Sequence, residues 1–424
     1  MKIVSIDEAM KKVHSGTKIY VQGSSSTPGT LLRALVDHVK ENDLRDIYLY
    51  HIELEGPFSS MLESVRGRIH DISLFVGRSM RPCVPRGLTE YMPIFLSDIP
   101  WFIREDLHPD ITFINVSTPD IHGHVSLGPS VIGVRAAIDN SGMVIAQLND
   151  EVPRTFGDST LPQSTVDYAI RNDEKLVEAE KFVITDQERR IAENIRTLIP
   201  NRATIQAGIG SIPDAVMPLL DDKKDLGIHT ELLSEGMIRL IESGAVTNIH
   251  KNIDRYHSVA TFCKGNQYVY DFINENPMIL FRSVDYTNDT ATIRKNDRVI
   301  SINSAVEVDI SGQVAAESIG SRVISGVGGQ MDFVRGAALS RGGKAIIALK
   351  SKTRHGEPKI VPFLKQGAAV TTTRNHVQFV VTEFGIADLR GKTLAQRAHE
   401  LIRISSPEFR DDLEKYAKEI LPNF

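Results

Sequence analysis

Ala203-Thr204-Ile205-Gln206-Ala207-Gly208-Ile209-Gly210-Ser211-Ile212-Pro213-Asp214 reads as a short strand, a glycine-rich turn and the approach to a helix, and this stretch decides the fold. The same order occurs near the N-terminus. Ile6, Ala9, Met10 and Val13 mark a helix and Thr17–Val21 a strand. Gly23-Ser24-Ser25-Ser26-Thr27-Pro28 then makes a turn of small residues, and Leu31, Leu32, Leu35, Val36 and Val39 give the next helix its apolar stripe. Further strands are expected at Asp46–Tyr50, Ile72–Val76, Ile111–Val116 and Gly142–Leu148. In the second half an amphipathic helix over Asp186–Leu198, with Ile191, Ile195 and Leu198 on one face, precedes the strand at 203–207. A helix from Asp214 and a strand around Ile228 follow the turn. Strands alternating with helices give largely parallel sheets covered on both faces. A charged, weakly patterned stretch from about Tyr168 to Lys181 reads as a connection between domains. The expectation is two related α/β domains with open sheets, residues 1–183 and 184–424.

Bulk properties narrow the function. A chain of 424 residues exceeds what one core usually serves, in line with two domains. A net charge of −5 gives no general reason to expect nucleic-acid binding. Cys83 and Cys263 are too few and too far apart for a disulfide framework or a cysteine metal site, and read as reduced thiols. The N-terminus carries Asp7 and Glu8 without an apolar core, unlike a secretion signal. No window holds about 18 uninterrupted apolar residues. These features point to a soluble cytoplasmic protein that uses neither membrane nor nucleic acid.

Three motifs carry possible chemistry. Gly208-Ile209-Gly210-Ser211-Ile212-Pro213 matches the opening of a dinucleotide fingerprint, but Pro213 replaces the third glycine. Taken alone it is either a plain tight turn or a cradle for an anionic or polar cofactor atom. Pro213 suits an early helix position, and Pro218 bends or shortens the helix. Gly227-Ile228-His229-Thr230-Glu231 then places a carboxylate on the next strand, with His229 on the same side as Glu231. Gly326-Val327-Gly328-Gly329 lets backbone come close to a ligand, and Asp332 and Arg335 beyond it could pair on one helical turn. His122 and His124 lack a further ligand at useful spacing, so they read as a polar loop and no metal site is expected. Neither a G-x-S-x-G elbow nor a P-loop is present, which sets aside serine hydrolases and nucleoside triphosphatases.

With these residues in view, the chain resembles the acetyl-CoA hydrolase/transferase family, most closely its 4-hydroxybutyrate and butyrate CoA-transferase branch. The resemblance runs over nearly the whole chain. It rests on Asn149–Pro153 with Gly157-Asp158, on GIGSIPDAV from Gly208, on LGIHTELLSEG from Leu226, on SGVGGQMDFVRGA from Ser325, and on KIVPFLKQGAAVTTTRN with VVTEFGIADLRGK from Lys359 onward. It implies two open-sheet domains of the CoA-transferase, ribose-5-phosphate isomerase-like, type. The first would lie on the acyl-group side, and the second would carry the catalytic residue and the CoA loops. By this resemblance Glu231 is the nucleophile. Gly208, Ile209, Gly210, Ser211, Ile212, Val306, Gly329 and Lys350 contact coenzyme A. Backbone N–H groups of Gly328 and Gly329 are candidates to hold the oxyanion. Coenzyme A and acyl-CoA enter as substrates, no cofactor is permanently bound, and the assembly implied is a homodimer. The N-terminal turn lacks the Glu-Pro of the 4-hydroxybutyrate branch, and Tyr48, His51 and Glu53 also differ from it. Acetate, butyrate, 4-hydroxybutyrate, succinate and itaconate therefore all stay open as acids. The reaction expected is ping-pong CoA transfer to a small carboxylic acid through a glutamyl-CoA thioester on Glu231. Hydrolysis of acyl-CoA by the same residue is the alternative.

Overall fold

The computed structural model describes residues 1–179 and 182–424. The chain forms two compact units. One comprises Met1–Glu180, Val259–Thr287 and Ile324–Gly328, and the other Lys181–Ser258, Asn288–Val323 and Gly329–Phe424. A cut at 183/184 therefore lies close to the first crossing only. Val259–Thr287 returns to the first unit because Ile279–Phe281 pairs in parallel with Phe156–Gly157.

The first unit is built on a sheet of eight parallel strands: β1 (Lys2–Ile3), β2 (Lys18–Val21), β3 (Ile47–His51), β4 (Ile69–Ser73), β5 (Glu90–Tyr91), β6 (Ile111–Val116), β7 (Met143–Leu148) and β8 (Tyr168–Arg171). Their spatial order is β1-β8-β7-β6-β2-β3-β4-β5. Helix α1 (Ile6–Met10) precedes β2, and α2 (Gly29–Glu41) follows it with Leu31, Leu32, Leu35, Val36 and Val39 buried. Every residue of β6 is buried, as a central parallel strand requires. The polar side of this core is paired: Gln22 reaches across to the Asn115 N–H and to the carbonyls of Leu127 and Ser130.

Two expectations shift here. The strand expected at 72–76 ends at Ser73, and Leu74-Phe75-Val76 leaves the sheet while staying largely apolar in its surroundings. Phe75 is used as a floor for a glycine loop, so its hydrophobicity reports loop packing and not strand pairing. Tyr168–Arg171, expected to open the interdomain connection, is instead strand β8, with Ala169 and Ile170 buried between β1 and β7. The following residues to 179 have no regular structure, and the end of that stretch, 180–181, lies outside the described residues.

The second unit repeats the plan. Helix α3 (Asp186–Leu198) starts at a capping box in which Thr185 and Glu188 satisfy each other's backbone N–H groups. It leads into β9 (Thr204–Ala207), helix α4 (Ser211–Val216) and β10 (Gly227–Ile228). Later strands are β11 (Val299–Ser304), β12 (Lys344–Ala348), β13 (Phe379–Thr382) and β14 (Gly385–Asp388). The order is β10-β9-β11-β12-β13-β14, parallel except for the β13–β14 hairpin. Phe333 and Val334 of α5 (Gln330–Leu339) share one core with Leu401 and Ile402 of α6 (Leu394–Ile404) and with Val299, Ile347 and Val380 of the sheet. The two sheets correspond strand for strand over their centres, β3-β2-β6-β7-β8 matching β10-β9-β11-β12-β13. The relation between the halves is thus one of topology. No helix among the described residues is long and apolar enough to cross a membrane.

Candidate active site

In the second sheet β9 is followed by β10 on one side and by β11 on the other. Adjacent strands whose connections leave in opposite directions open a crevice at their carboxyl ends. Gly208-Ile209-Gly210-Ser211 occupies that point. The Gly208 N–H donates to the Ile302 carbonyl (2.9 Å), and below it the side-chain amides of Gln206 and Asn303 bond reciprocally at 3.2 Å. A side chain at Gly208 would start 3.1 Å from Asn303 Oδ1. Gly210 has φ +138°, a conformation that L side chains rarely adopt. Helix α4 begins at Ser211, three residues before the expected Asp214, because Pro213 falls in the first turn where no backbone donor is needed. It gives way to a 3-10 turn over Met217–Leu220, which contains Pro218. Ile209 is left 46% exposed on the turn whereas Ile212 is buried, so only Ile209 can offer an apolar side chain to a ligand.

Ser211 donates to Glu188, which also receives the Lys350 ammonium at 3.1 Å. Burial opposes ionisation of Glu188, but hydrogen bonds from Ser211, Thr185 and Lys350 outweigh it and hold its carboxyl down to about 2. One ionised carboxylate therefore fixes Lys350 beside the turn. Val306 stands at the same strand ends, its N–H bonded to the Ala315 carbonyl (2.8 Å).

The strand that leads to Glu231 is short and held from outside the sheet. At Ile228, the N–H donates to Asn248 Oδ1 (2.9 Å) and the carbonyl accepts from Lys251 Nζ (3.0 Å). Gly227 must lack a side chain, since a Cβ there would lie 2.7 Å from Lys251 Cγ. β10 stops at Ile228, so Glu231 sits in a bend and not on a strand as expected. The reason is local: the Thr230 hydroxyl donates to the Leu232 carbonyl (3.1 Å) and turns the chain out of the sheet. His229 and Glu231 consequently do not share a strand face; the His229 ring packs towards Phe333, 6.2 Å between centroids.

Around the Glu231 carboxylate the second unit gathers Asn288, Gly329 and Asp332. The Asn288 amide and the Gly329 N–H donate to the carboxylate. The same Asn288 amide donates to Asp332 Oδ2 at 3.0 Å, so one amide ties Asp332 to the Glu231 site. Gly329 caps α5, and a Cβ there would fall 2.1 Å from Asn288 Nδ2 and 2.3 Å from Glu231 Oε1. The glycine is required by space; its φ of −102° is open to any residue. Desolvation, followed by the charge of Asp332, pushes the Glu231 carboxyl up to about 8 against these two donors. Although the side chain keeps some access to the surface, its carboxyl end is enclosed.

Of the two glycines expected to serve the oxyanion, only Gly329 lies with Glu231 in the second unit. Gly328 belongs to the first unit, where its carbonyl accepts from the Leu96 N–H (3.1 Å); its φ is +55°, and a Cβ there would lie 3.1 Å from Phe75 Cε2. His122 lies in a turn and His124 opens the short strand His124–Ser126, and the N–H groups of both donate to Asp120 Oδ1 at 2.8 Å. Asn288, Glu188 and the partnering of Asp332 were not readable beforehand, because no local pattern marks a residue whose partner is remote in sequence.

One consequence is a pH dependence. If Glu231 is the nucleophile that the family resemblance implies, only its ionised form can attack, and a carboxyl near 8 is only about one-tenth ionised at pH 7. The free enzyme's kcat/KM should therefore rise with pH along a limb centred near 8, and Asp332→Asn should move that limb to lower pH. A pH–rate profile of both proteins checks this. A limb near the ordinary value of 4.5 would show that the carboxyl is not desolvated.

Comparison with known proteins agrees with the architecture. The acetyl-CoA hydrolase/transferase N-terminal domain matches residues 1–179, and the C-terminal domain of the same family matches residues 265–417. The succinyl-CoA:acetate/propanoyl-CoA:succinate CoA transferase of Fasciola hepatica is 42% identical over 97% of this chain and 86% of its own length. The 4-hydroxybutyrate coenzyme A transferase of Clostridium kluyveri is also 42% identical, over 97% of this chain and 96% of its own. The crystal structure of RipA from Yersinia pestis superposes with a TM-score of 0.93 at 33% identity, covering 99% of this chain and 97% of that one.

Proposed function

The chain belongs to the acetyl-CoA hydrolase/transferase family, and we propose that Glu231 is the carboxylate through which it passes coenzyme A from one acid to another. Its activity is that of a CoA-transferase acting on acyl-CoA and carboxylate substrates. The observation that carries the assignment to Glu231 is its setting: a desolvated carboxylate held by two donors, in the same unit as a glycine turn at the switch point of the sheet.

A Glu231 oxygen attacks the thioester carbonyl, the C–S bond breaks, and CoA leaves as a thiolate from a mixed anhydride. The thiolate then attacks the glutamyl carbonyl. The first acid departs as its carboxylate, and a glutamyl-CoA thioester remains. A second carboxylate attacks that thioester, again releasing thiolate, which takes the new acyl group and frees Glu231. The thioester is conserved throughout, so no nucleoside triphosphate is consumed.

The donors gain a second use in this sequence. Attack on the glutamyl carbonyl puts negative charge on an oxygen of the same side chain that Asn288 and the Gly329 N–H already hold. Preorganised donors aimed at that oxygen lower the barrier without having to reorganise. Desolvation also makes the ionised carboxylate a stronger nucleophile, in keeping with its raised pKa. In the coenzyme cradle we place Gly208–Ile212, Val306 and Lys350, and we take the working assembly to be a homodimer.

A half-reaction tests the scheme. With one acyl-CoA and its own isotopically labelled acid, and no second acid, the label should enter the acyl-CoA at a rate comparable to turnover. Absence of exchange would mean that transfer does not pass through an enzyme-bound intermediate.

A further inference from the structure

Beyond the carboxyl end of β11 the chain continues through Ala305 and Val306 into a short strand, Glu307–Asp309, paired in parallel with Ile360–Val361. Lys359 stands at the head of that second strand. Its N–H donates to the Ser351 carbonyl (2.9 Å) and its carbonyl accepts from the Val308 N–H (2.8 Å), so its backbone is fixed on both sides. The side chain turns towards the strand ends, where Nζ donates to the Ala305 carbonyl at 3.2 Å, one residue before Val306.

An ammonium group has three N–H donors, and this contact occupies one. Among the described residues no carboxylate lies within salt-bridge distance of Lys359. Lys350 differs, because Glu188, whose side chain is only 4% exposed, already neutralises it. Burial, followed by the nearby charge of Lys350, lowers the Lys359 ammonium to about 8, against the weaker pull of Glu383 and Glu307. Two cations thus share the ends of β11 and β12, and of these two only Lys350 has a carboxylate in salt-bridge contact among the described residues. A second observation lies beside them. Ser304 Oγ is buried without a hydrogen bond among the described residues, 3.8 Å from where a side chain on Gly210 would begin. A cation without a carboxylate in salt-bridge contact and a hydroxyl without a hydrogen bond, both among the described residues, fit an anionic ligand at a strand switch point.

We propose that Lys359 is a phosphate-binding residue of the coenzyme site, holding an oxygen of one of the CoA phosphates together with Lys350, with Ser304 donating to the coenzyme beside Gly210. This rests on the CoA reading of the Gly208–Ile212 turn. Binding energy gained at a phosphate, far from the thioester, is available to position the reacting carbon against Glu231.

The test compares two thioesters of the same acid, acyl-CoA and acyl-pantetheine, which lacks the phosphates. The ratio of their kcat/KM values in Lys359→Met should fall at least about tenfold from that of the wild type, as expected for loss of one charge-assisted bond. Lys359→Arg should keep most of the ratio. A ratio within twofold of wild type in Lys359→Met, whatever the overall activity, would overturn the assignment. Should that variant not fold, labelling of the wild type with an amine-acylating reagent decides. Saturating CoA must protect Lys359 and pantetheine must not, as read by mass spectrometry; no protection by CoA overturns the proposal. Failure at Lys359 leaves the wild-type preference for acyl-CoA intact, whereas failure of the CoA reading removes that preference itself.

Discussion

Replacing Glu231 with glutamine should lower kcat/KM roughly ten-thousand-fold or more, the scale on which removal of a covalent nucleophile acts. An amide of the same shape accepts the Asn288 and Gly329 bonds on its oxygen but cannot attack a thioester. Stability should move the other way. The carboxyl titrates near 8 in the folded protein against 4.5 as a free group, so between these values the folded state keeps a proton that the unfolded state has lost. Whatever stability the protonated carboxyl contributes below pH 4.5 is therefore lost progressively up to about pH 8. Glutamine carries no such titration. Denaturation midpoints of Glu231→Gln relative to wild type should rise from pH 5 to pH 8 and level off above. Loss of activity with a gain in stability at neutral pH would identify a residue kept for chemistry at the expense of the fold.

Gly329→Ala should have the second-largest effect. The added methyl has acceptable backbone angles but no room, at 2.1 Å from Asn288 Nδ2 and 2.3 Å from Glu231 Oε1. Asn288 is tethered to Asp332, so Glu231 is the group that swings away. Displacing a reacting atom by about 1 Å and weakening one oxyanion donor should together cost roughly 100- to 1,000-fold in kcat/KM. The melting temperature should change little, because the crowded atoms are side-chain ends and not backbone. Gly336→Ala in the middle of α5 provides the contrast. Its Cβ would lie 2.5 Å from Ile293 Cγ2 inside the core, so it should lower stability first and activity less. Steady-state kinetics and thermal melts of both variants check the pair, and a Gly329→Ala enzyme within twofold of wild type would contradict the geometry.

Much of this was legible in the residues. The stripes of α2 and α3, the buried runs of β6 and β7 and the glycine turn after β9 announce an alternating α/β chain, since each follows its own period. Boundaries failed where tertiary packing overrides local pattern. Phe75 extended the apparent strand because it packs beneath Gly326 and Gly328, and β8 was concealed by polar neighbours although Ala169 and Ile170 are buried. Glu231, the proposed nucleophile, was singled out from Gly227-Ile228-His229-Thr230-Glu231 together with the family resemblance. Its placement in a bend could not, because that depends on one hydroxyl, Thr230, bonding two residues ahead. Asn288 and Asp332 reach Glu231 only through the crossovers of a parallel sheet, which bring distant segments to the same strand ends. Lys359 opens the KIVPFLKQG run, and its bond to the Ala305 carbonyl is visible only in three dimensions.

The central claim is that coenzyme A is held covalently on Glu231 between the two halves of the reaction. Wild-type protein incubated with acyl-CoA alone, then treated with borohydride and digested, answers it by mass spectrometry of the peptide spanning residues 227–235. The account predicts that this peptide loses one oxygen and gains two hydrogens, placed at Glu231 by fragmentation, as a glutamyl thioester is reduced to an alcohol. An unmodified Glu231 peptide from enzyme that is turning over, or the same reduction at another carboxylate, would contradict it.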